Sequence, residues 1–159
     1  MLLLSAKAGL RAAEIAGLTW PMLLDADGQL APQIALADSI AKKRSGRSIP
    51  VHPLLRSALT QLRRQTGCEG FVVKSERGGG MRPSSVVNWF KGFYKDLGLL
   101  GCSSHSGRRT FITLAARRVS KAGGSIRDVQ MLAGHRNLAH TQRYIEGHSK
   151  AQKRLVHML

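Results

Sequence analysis

The chemistry open to this chain rests on cations, imidazoles and a phenol. It contains Arg11 with Glu14 three positions on, a Lys42-Lys43-Arg44 run, His105-Ser106-Gly107-Arg108-Arg109, Leu132-Ala133-Gly134-His135, and Tyr144 at the end of Thr141-Gln142-Arg143-Tyr144. Only 9 Asp plus Glu occur in 159 residues, and they form no cluster of the kind that holds catalytic magnesium. A P-loop signature, H-E-x-x-H and G-x-S-x-G are all missing. Phosphoryl transfer on this chain would therefore run without metal. Charge developing on the phosphate oxygens would have to be met by fixed cationic donors, with a side chain as nucleophile. Arginine, lysine, histidine and one tyrosine are the types such a reaction requires.

The overall charge agrees with a phosphate-bearing partner. Against those 9 acids stand 25 Lys plus Arg, a formal net charge of +16, so a polyanion is the expected partner. On charge alone, a solvated basic surface or a ribosomal-type protein is a commoner case than specific DNA chemistry. Hydrophobic residues make up 43% and charged residues 21%, which is globular usage and excludes disorder throughout. Cys68 and Cys102 stand far apart without a C-x-x-C pair, so neither a zinc site nor a disulfide framework is signalled. The opening apolar run is too short for a signal peptide, and no stretch approaches the roughly 20 apolar residues of a membrane span. A soluble, cytoplasmic protein with no membrane association is expected.

The elements that must position these residues read as mostly helical. Leu2 to Leu4 and Leu10, then Ala12, Ala13, Ile15 and Leu18, predict two helical pieces joined at Gly9 and ended by Trp20-Pro21. Ile34, Leu36 and Ile40 at even spacing, with Ser48-Ile49-Pro50-Val51 beyond a polar stretch, predict a β-hairpin with a basic turn. Pro53 opens a helix with Leu54, Leu55, Ala58, Leu59 and Leu62 on one face, and Phe71-Val72-Val73 reads as a short strand before the Gly78-Gly79-Gly80 loop. A second proline-started helix, from Pro83, turns Val86, Val87, Phe90, Phe93, Tyr94 and Leu97 inward and ends near Gly98. Helices follow over Thr110 to Arg118, over Ile126 to Ala133 behind a Ser125-x-x-Asp128 capping box, around Tyr144, and from Ser149 to His157. The expected architecture is one α+β, mostly α-helical domain over residues 1–159 with a small antiparallel β-sheet.

Taken singly, R-x-x-E is an ordinary surface helix pair, His105 or His135 an ordinary structural histidine, and Tyr144 a half-buried aromatic. Their order and spacing are more specific. Gly9-Leu10-Arg11-Ala12-Ala13-Glu14-Ile15 resembles the first arginine box of the tyrosine recombinases of the phage integrase family, in which the glutamate steadies the arginine. Lys42, eight residues before Pro50, is similar in position to the family's catalytic lysine. His105-Ser106-Gly107-Arg108 resembles the H-x-x-R box, Leu132-Ala133-Gly134-His135 the L-x-G-H box, and Tyr144, nine residues after His135, stands where the family's nucleophile does. The type IB topoisomerases use similar chemistry, but these boxes at these spacings look like a recombinase.

The resemblance implies the catalytic-domain fold of DNA breaking-rejoining enzymes, with Arg11, Lys42, His105, Arg108, His135 and Tyr144 as catalytic residues. Tyr144 would join the 3′ side of the nick while the 5′ oxygen leaves, protonated by Lys42. Arg11 and Arg108 would clamp the nonbridging oxygens, His105 would position or deprotonate the nucleophile, and His135 would donate to the phosphate. Lys43, Arg44, Arg47, Arg109 and Arg143 are expected to contact DNA. No cofactor is implied. The partners implied are double-stranded DNA and further protomers, or a full-length recombinase, in a tetramer on DNA, with Ala151, Leu155 and Val156 on a last helix that docks into a neighbour or packs within the chain. Family members carry an N-terminal helical core-binding domain, and only ten residues precede Arg11 here, so a catalytic domain truncated at its N-terminus is expected. A noncatalytic DNA-binding remnant and a basic RNA-binding protein are the competing readings.

Overall fold

A computed structural model describes residues 1–41, 46–144 and 156–157. The first helix, α1 (Leu2–Ala8), ends at Gly9 in the left-handed conformation, φ 64°, and α2 (Ala12–Gly17) follows after Leu10 and Arg11. Gly9 is required twice over. A β-carbon there would strain the backbone and would lie 2.5 Å from Cδ1 of Phe111, because α1 packs closely on a later helix, α5 (Ser106–Arg118). A 3₁₀ turn at Trp20–Met22 closes this opening unit, as the Trp20-Pro21 pair predicts.

Strands β1 (Gln33–Leu36) and β2 (Arg47–Pro50) pair antiparallel, with Ile34 opposite Ile49. Alternation along β1 sends Ile34 and Leu36 inward and leaves Gln33 and Ala35 exposed. Ile40 continues the even spacing but lies in a turn, against Gly17, beyond the end of the strand. The expected strand at Phe71-Val72-Val73 does not form either. Phe71 makes an isolated bridge to Thr19, Val72 N–H donates to Leu18 O at 2.9 Å, and half-exposed Phe71 stands over Gly80. Three apolar residues without a neighbouring strand to pair along their length make a tether for the 3₁₀ turn.

The two proline-started helices form as expected, α3 (Pro53–Thr66) and α4 (Pro83–Asp96). Their inward faces are narrower than the count of apolar residues suggests. Leu55 and Leu59 are buried while Leu54 points outward; Val86, Phe90 and Tyr94, four apart, are buried while Val87 and Leu97 are exposed. A stripe of one residue per turn suffices because each helix covers the core from one side.

Helix α5 begins at Ser106, four residues before the expected start, so that Arg108 lies inside its first turn. Then come α6 (Ile126–Ala133) and α7 (Leu138–Gln142). The capping box at α6 is present: Asp128 accepts from the Ser125 N–H at 2.7 Å and from its hydroxyl at 3.0 Å, which holds the exposed carboxyl below its usual range. The helix expected around Tyr144 ends just before it. The helix expected from Ser149 to His157, with Ala151 and Leu155, lies outside the described residues apart from exposed Val156 and His157.

Two hydrophobic clusters result among the described residues. The larger gathers α1 to α4 and both strands around Leu10, Ile15, Trp20, Ile34, Ile49 and Phe90. The smaller consists of Ile112, Val129 and Ala133 from α5 and α6, with Phe111 and Tyr144 among the residues packed against it. The architecture is mostly helical with a small antiparallel sheet, as the sequence predicts. Among the described residues, no helix is long and apolar enough to cross a membrane.

Candidate active site

The site lies where the two clusters meet. Arg11 caps α2 in an extended conformation, so its backbone N–H is free to donate to Glu14 Oε2, at 2.9 Å, while its guanidinium donates to Glu14 Oε1 at 2.8 Å. Glu14 is completely buried. Burial alone would favour its neutral form, but hydrogen bonds and charge from Arg47 and Arg11 outweigh it and hold the carboxyl below its usual range. Arg47, expected to face DNA, instead points inward from the start of β2. Its guanidinium donates to Oε1 and Oε2 of Glu14 at 3.0 and 3.1 Å, and its Nε donates to Leu132 O at 2.8 Å. A buried carboxylate draws in the nearest cation that strand pairing places over it.

Arg108 joins the two clusters. Its side chain, almost wholly buried, donates to Gly9 O at the α1–α2 corner and to Ala133 O at the end of α6, the latter at 2.5 Å. Burial, then the charge of Arg11, pull its pKa down to about 10, so it stays a cation at neutral pH. The same guanidinium lies 3.2 Å from His135 Nε2.

His135 follows Gly134, whose left-handed φ of 59° ends α6 and turns the chain back. Gln130 anchors that turn by donating to His135 O at 2.8 Å. His135 Nδ1 sits 3.0 Å from the hydroxyl of fully buried Thr141. Burial, then the nearby Arg108 and Arg11, lower the His135 pKa to about 4, which makes it a neutral imidazole at physiological pH. With Arg108 donating to Nε2, the tautomer that satisfies both contacts carries its proton on Nδ1 and donates to Thr141.

Tyr144 completes the group. Its ring stacks on His135 with centroids 6.1 Å apart and planes 24° from parallel, and its N–H donates to Thr141 O at 3.0 Å. It opens onto a cavity of about 540 Å³ lined by Arg109, His135, His140, Arg143 and Tyr144. Arg109 and Arg143 are thus exposed on its rim. His105 lies at the N-terminal end of α5 with its side chain exposed, one turn before Arg108. Lys42, Lys43 and Arg44 lie outside the described residues. Among the described residues, no three His, Cys, Asp or Glu side chains come together as a metal site.

Arg11, Arg108, His135 and Tyr144, spread over more than 130 positions, are therefore gathered in one place. Sequence reasoning missed Thr141 and Gln130, which steady His135. Both were visible, one of them inside the string that ends at Tyr144, but a buried hydroxyl and a buried amide carry no sequence signal until their partners are known.

Residues 1–151 match the model of the phage integrase family, and the chain belongs to that family. No curated protein sequence matches it. Among solved structures it is similar to the integrase of transposon Tn1549 in complex with transposon right end DNA, with a TM-score of 0.75 and 20% identity over 97% of this chain and 56% of that one. XerA recombinase gives a TM-score of 0.72 at 20% identity, over 98% and 55%. The integrase from mycobacterium phage Brujita gives 0.62 at 25%, over 96% and 47%. The chain thus spans about half the length of these structures.

Proposed function

We propose that the protein is the catalytic domain of a tyrosine recombinase, which cleaves and rejoins double-stranded DNA through a 3′-phosphotyrosyl link to Tyr144. One observation carries this reading: two arginines and a neutral imidazole converge beside an accessible phenol, with Arg108 3.2 Å from the imidazole and Tyr144 stacked on its face. Similarity to integrases bound to DNA, and a net charge of +16, name the polyanion. The transposon and phage sources of such integrases point to action on DNA in a prokaryotic cytoplasm.

In this mechanism Arg11 and Arg108 hold the nonbridging oxygens, since a planar guanidinium matches phosphate and stays charged. A phosphate that takes the Arg108 N–H from His135 Nε2 also frees the other tautomer: the Thr141 hydroxyl then donates to Nδ1, and Nε2–H donates to the phosphate. Tyr144 attacks phosphorus as its phenolic proton passes to His105, the bond to the deoxyribose 5′ oxygen breaks, and Lys42 supplies that oxygen's proton, the roles of His105 and Lys42 resting on the family resemblance. Reversal with a 5′ hydroxyl from another strand rejoins the DNA, with further protomers or a full-length recombinase providing the second site.

The test is a nicked suicide substrate carrying a candidate recombination site. The expected result is a denaturant-resistant protein–DNA adduct that Tyr144→Phe abolishes. DNA binding without an adduct would make this chain a binder, and an adduct that survives Tyr144→Phe would move the nucleophile elsewhere.

A further inference from the structure

Glu14 is shared by two guanidiniums that differ in their freedom. Arg47 grips both carboxylate oxygens, is tied to Leu132 O, and is 7% exposed. Gly134 closes over it: a β-carbon at that position would lie 2.8 Å from Arg47 Nη1, so the space belongs to the guanidinium. Arg11 shares Oε1 but is 19% exposed, and its second nitrogen has only a long contact, 3.4 Å, to Gly134 O. Of the two, Arg11 can turn toward a ligand and Arg47 cannot.

We propose that Arg47 is a positioning residue that neutralises Glu14, leaving Arg11 able to exchange that carboxylate for a phosphate oxygen. A fully buried carboxylate must keep a cation. With Arg47 in place, Glu14 remains bidentately paired when Arg11 turns outward. Without it, Arg11 is the remaining partner, and every phosphate bound would uncover a buried charge. The inference rests on the reading that Arg11 receives the phosphate.

Inorganic phosphate is the probe, with the Nε–H resonance of Arg11, assigned by its loss in Arg11→Lys, followed by NMR well below the melting temperature of each variant. Arg47→Met should weaken phosphate binding at Arg11 by roughly 10- to 100-fold, the scale of one charged hydrogen bond. Adding Glu14→Gln should restore most of it, because a neutral amide no longer holds Arg11. Restored melting temperature without restored phosphate binding would reduce Arg47 to a structural residue, and unchanged binding in a folded Arg47→Met would overturn the proposal. Should Arg47→Met fail to fold, the double variant is compared with Arg47→Lys, which keeps the charge without the fork; both should bind phosphate within a few-fold of the wild type, and a loss of about tenfold or more in the double variant overturns it. No phosphate binding at Arg11 in the wild type overturns it as well. Binding that follows the expected order, in a protein that forms no Tyr144 adduct, would sink the recombinase reading and leave Arg47 in its role.

Discussion

The two ends of the site stand on unequal foundations. Arg11 and Glu14 belong to the large cluster, with α1 to α4 and both strands behind them, and the charge on Glu14 is compensated from two sides. Tyr144 leans on the small one, three fully buried residues and a fringe of partly buried neighbours, with its α7 approach only five residues long. A rigid base under Arg11, with Glu14 held by Arg47, confines reorganisation on phosphate binding to the Arg11 side chain itself. On the proposed reading Tyr144 must first attack and later be displaced, and it sits on the part of the molecule with less to break when it moves. Arg108 links the two through its bonds to Gly9 O and Ala133 O.

If that contrast is real, one substitution made on both sides should give different answers. Ile15 and Ile112 are both completely buried, the first in the large cluster and the second in the small. Ile15→Ala should cost toward the top of the roughly 2–5 kcal/mol range for such truncations and Ile112→Ala toward the bottom, because a small cluster collapses more easily around a void. Urea unfolding of each variant measures this. Equal losses would mean that the clusters form one cooperative unit, and the contrast would fail.

Glycine substitutions make the same comparison on a smaller scale. Gly9 and Gly123 both have a left-handed φ, 64° and 71°, but a β-carbon at Gly9 strikes Phe111 at 2.5 Å while one at Gly123 meets nothing within 4 Å. Gly123→Ala should cost only the backbone term, about 1 kcal/mol, and Gly9→Ala that plus an overpacking cost of about 1–3 kcal/mol. Thermal melts distinguish them. A Gly9→Ala variant no worse than Gly123→Ala would show that α5 yields to α1, and that the corner carrying Arg11 is softer than its packing suggests.

Local chemistry was the legible part of this molecule. Gly9 between two helical runs, prolines at Pro53 and Pro83, and Ser125 three before Asp128 each act through their own backbone, so their meaning survives without knowledge of the partners. Facing was less legible. Leu54, Val87 and Leu97 are apolar yet outward, and Phe71 to Val73 make no strand, because those outcomes depend on what lies across the gap. Arg47 is the sharpest case. In a basic stretch it reads as a DNA contact, and only the fold reveals that Glu14, 33 positions earlier, lies beneath it. The same holds for Thr141, whose hydroxyl matters because His135 has been turned back onto it.

The smallest expected effect concerns the seam between the regions. His135 has a folded pKa of about 4 against an ordinary 6.5, lowered by burial and then by Arg108. As pH falls, the unfolded chain takes up this proton first, so the contribution to stability is full above about 6.5 and is lost progressively as pH falls toward 4. Glu14, held below its usual range, loses its contribution in the same direction at still lower pH. Melting temperature should therefore fall more steeply between pH 7 and pH 4 in the wild type than in His135→Gln, by only a few degrees because the ring is partly solvated. Parallel profiles would mean that His135 titrates as it does in the unfolded chain, leaving Arg108 without electrical influence on the residue that stacks on Tyr144. A steeper wild-type profile, with α6 and α7 losing amide protection before α1 to α4 as the pH drops, would place the seam at His135 and make its neutrality a condition for keeping Tyr144 beside the arginines.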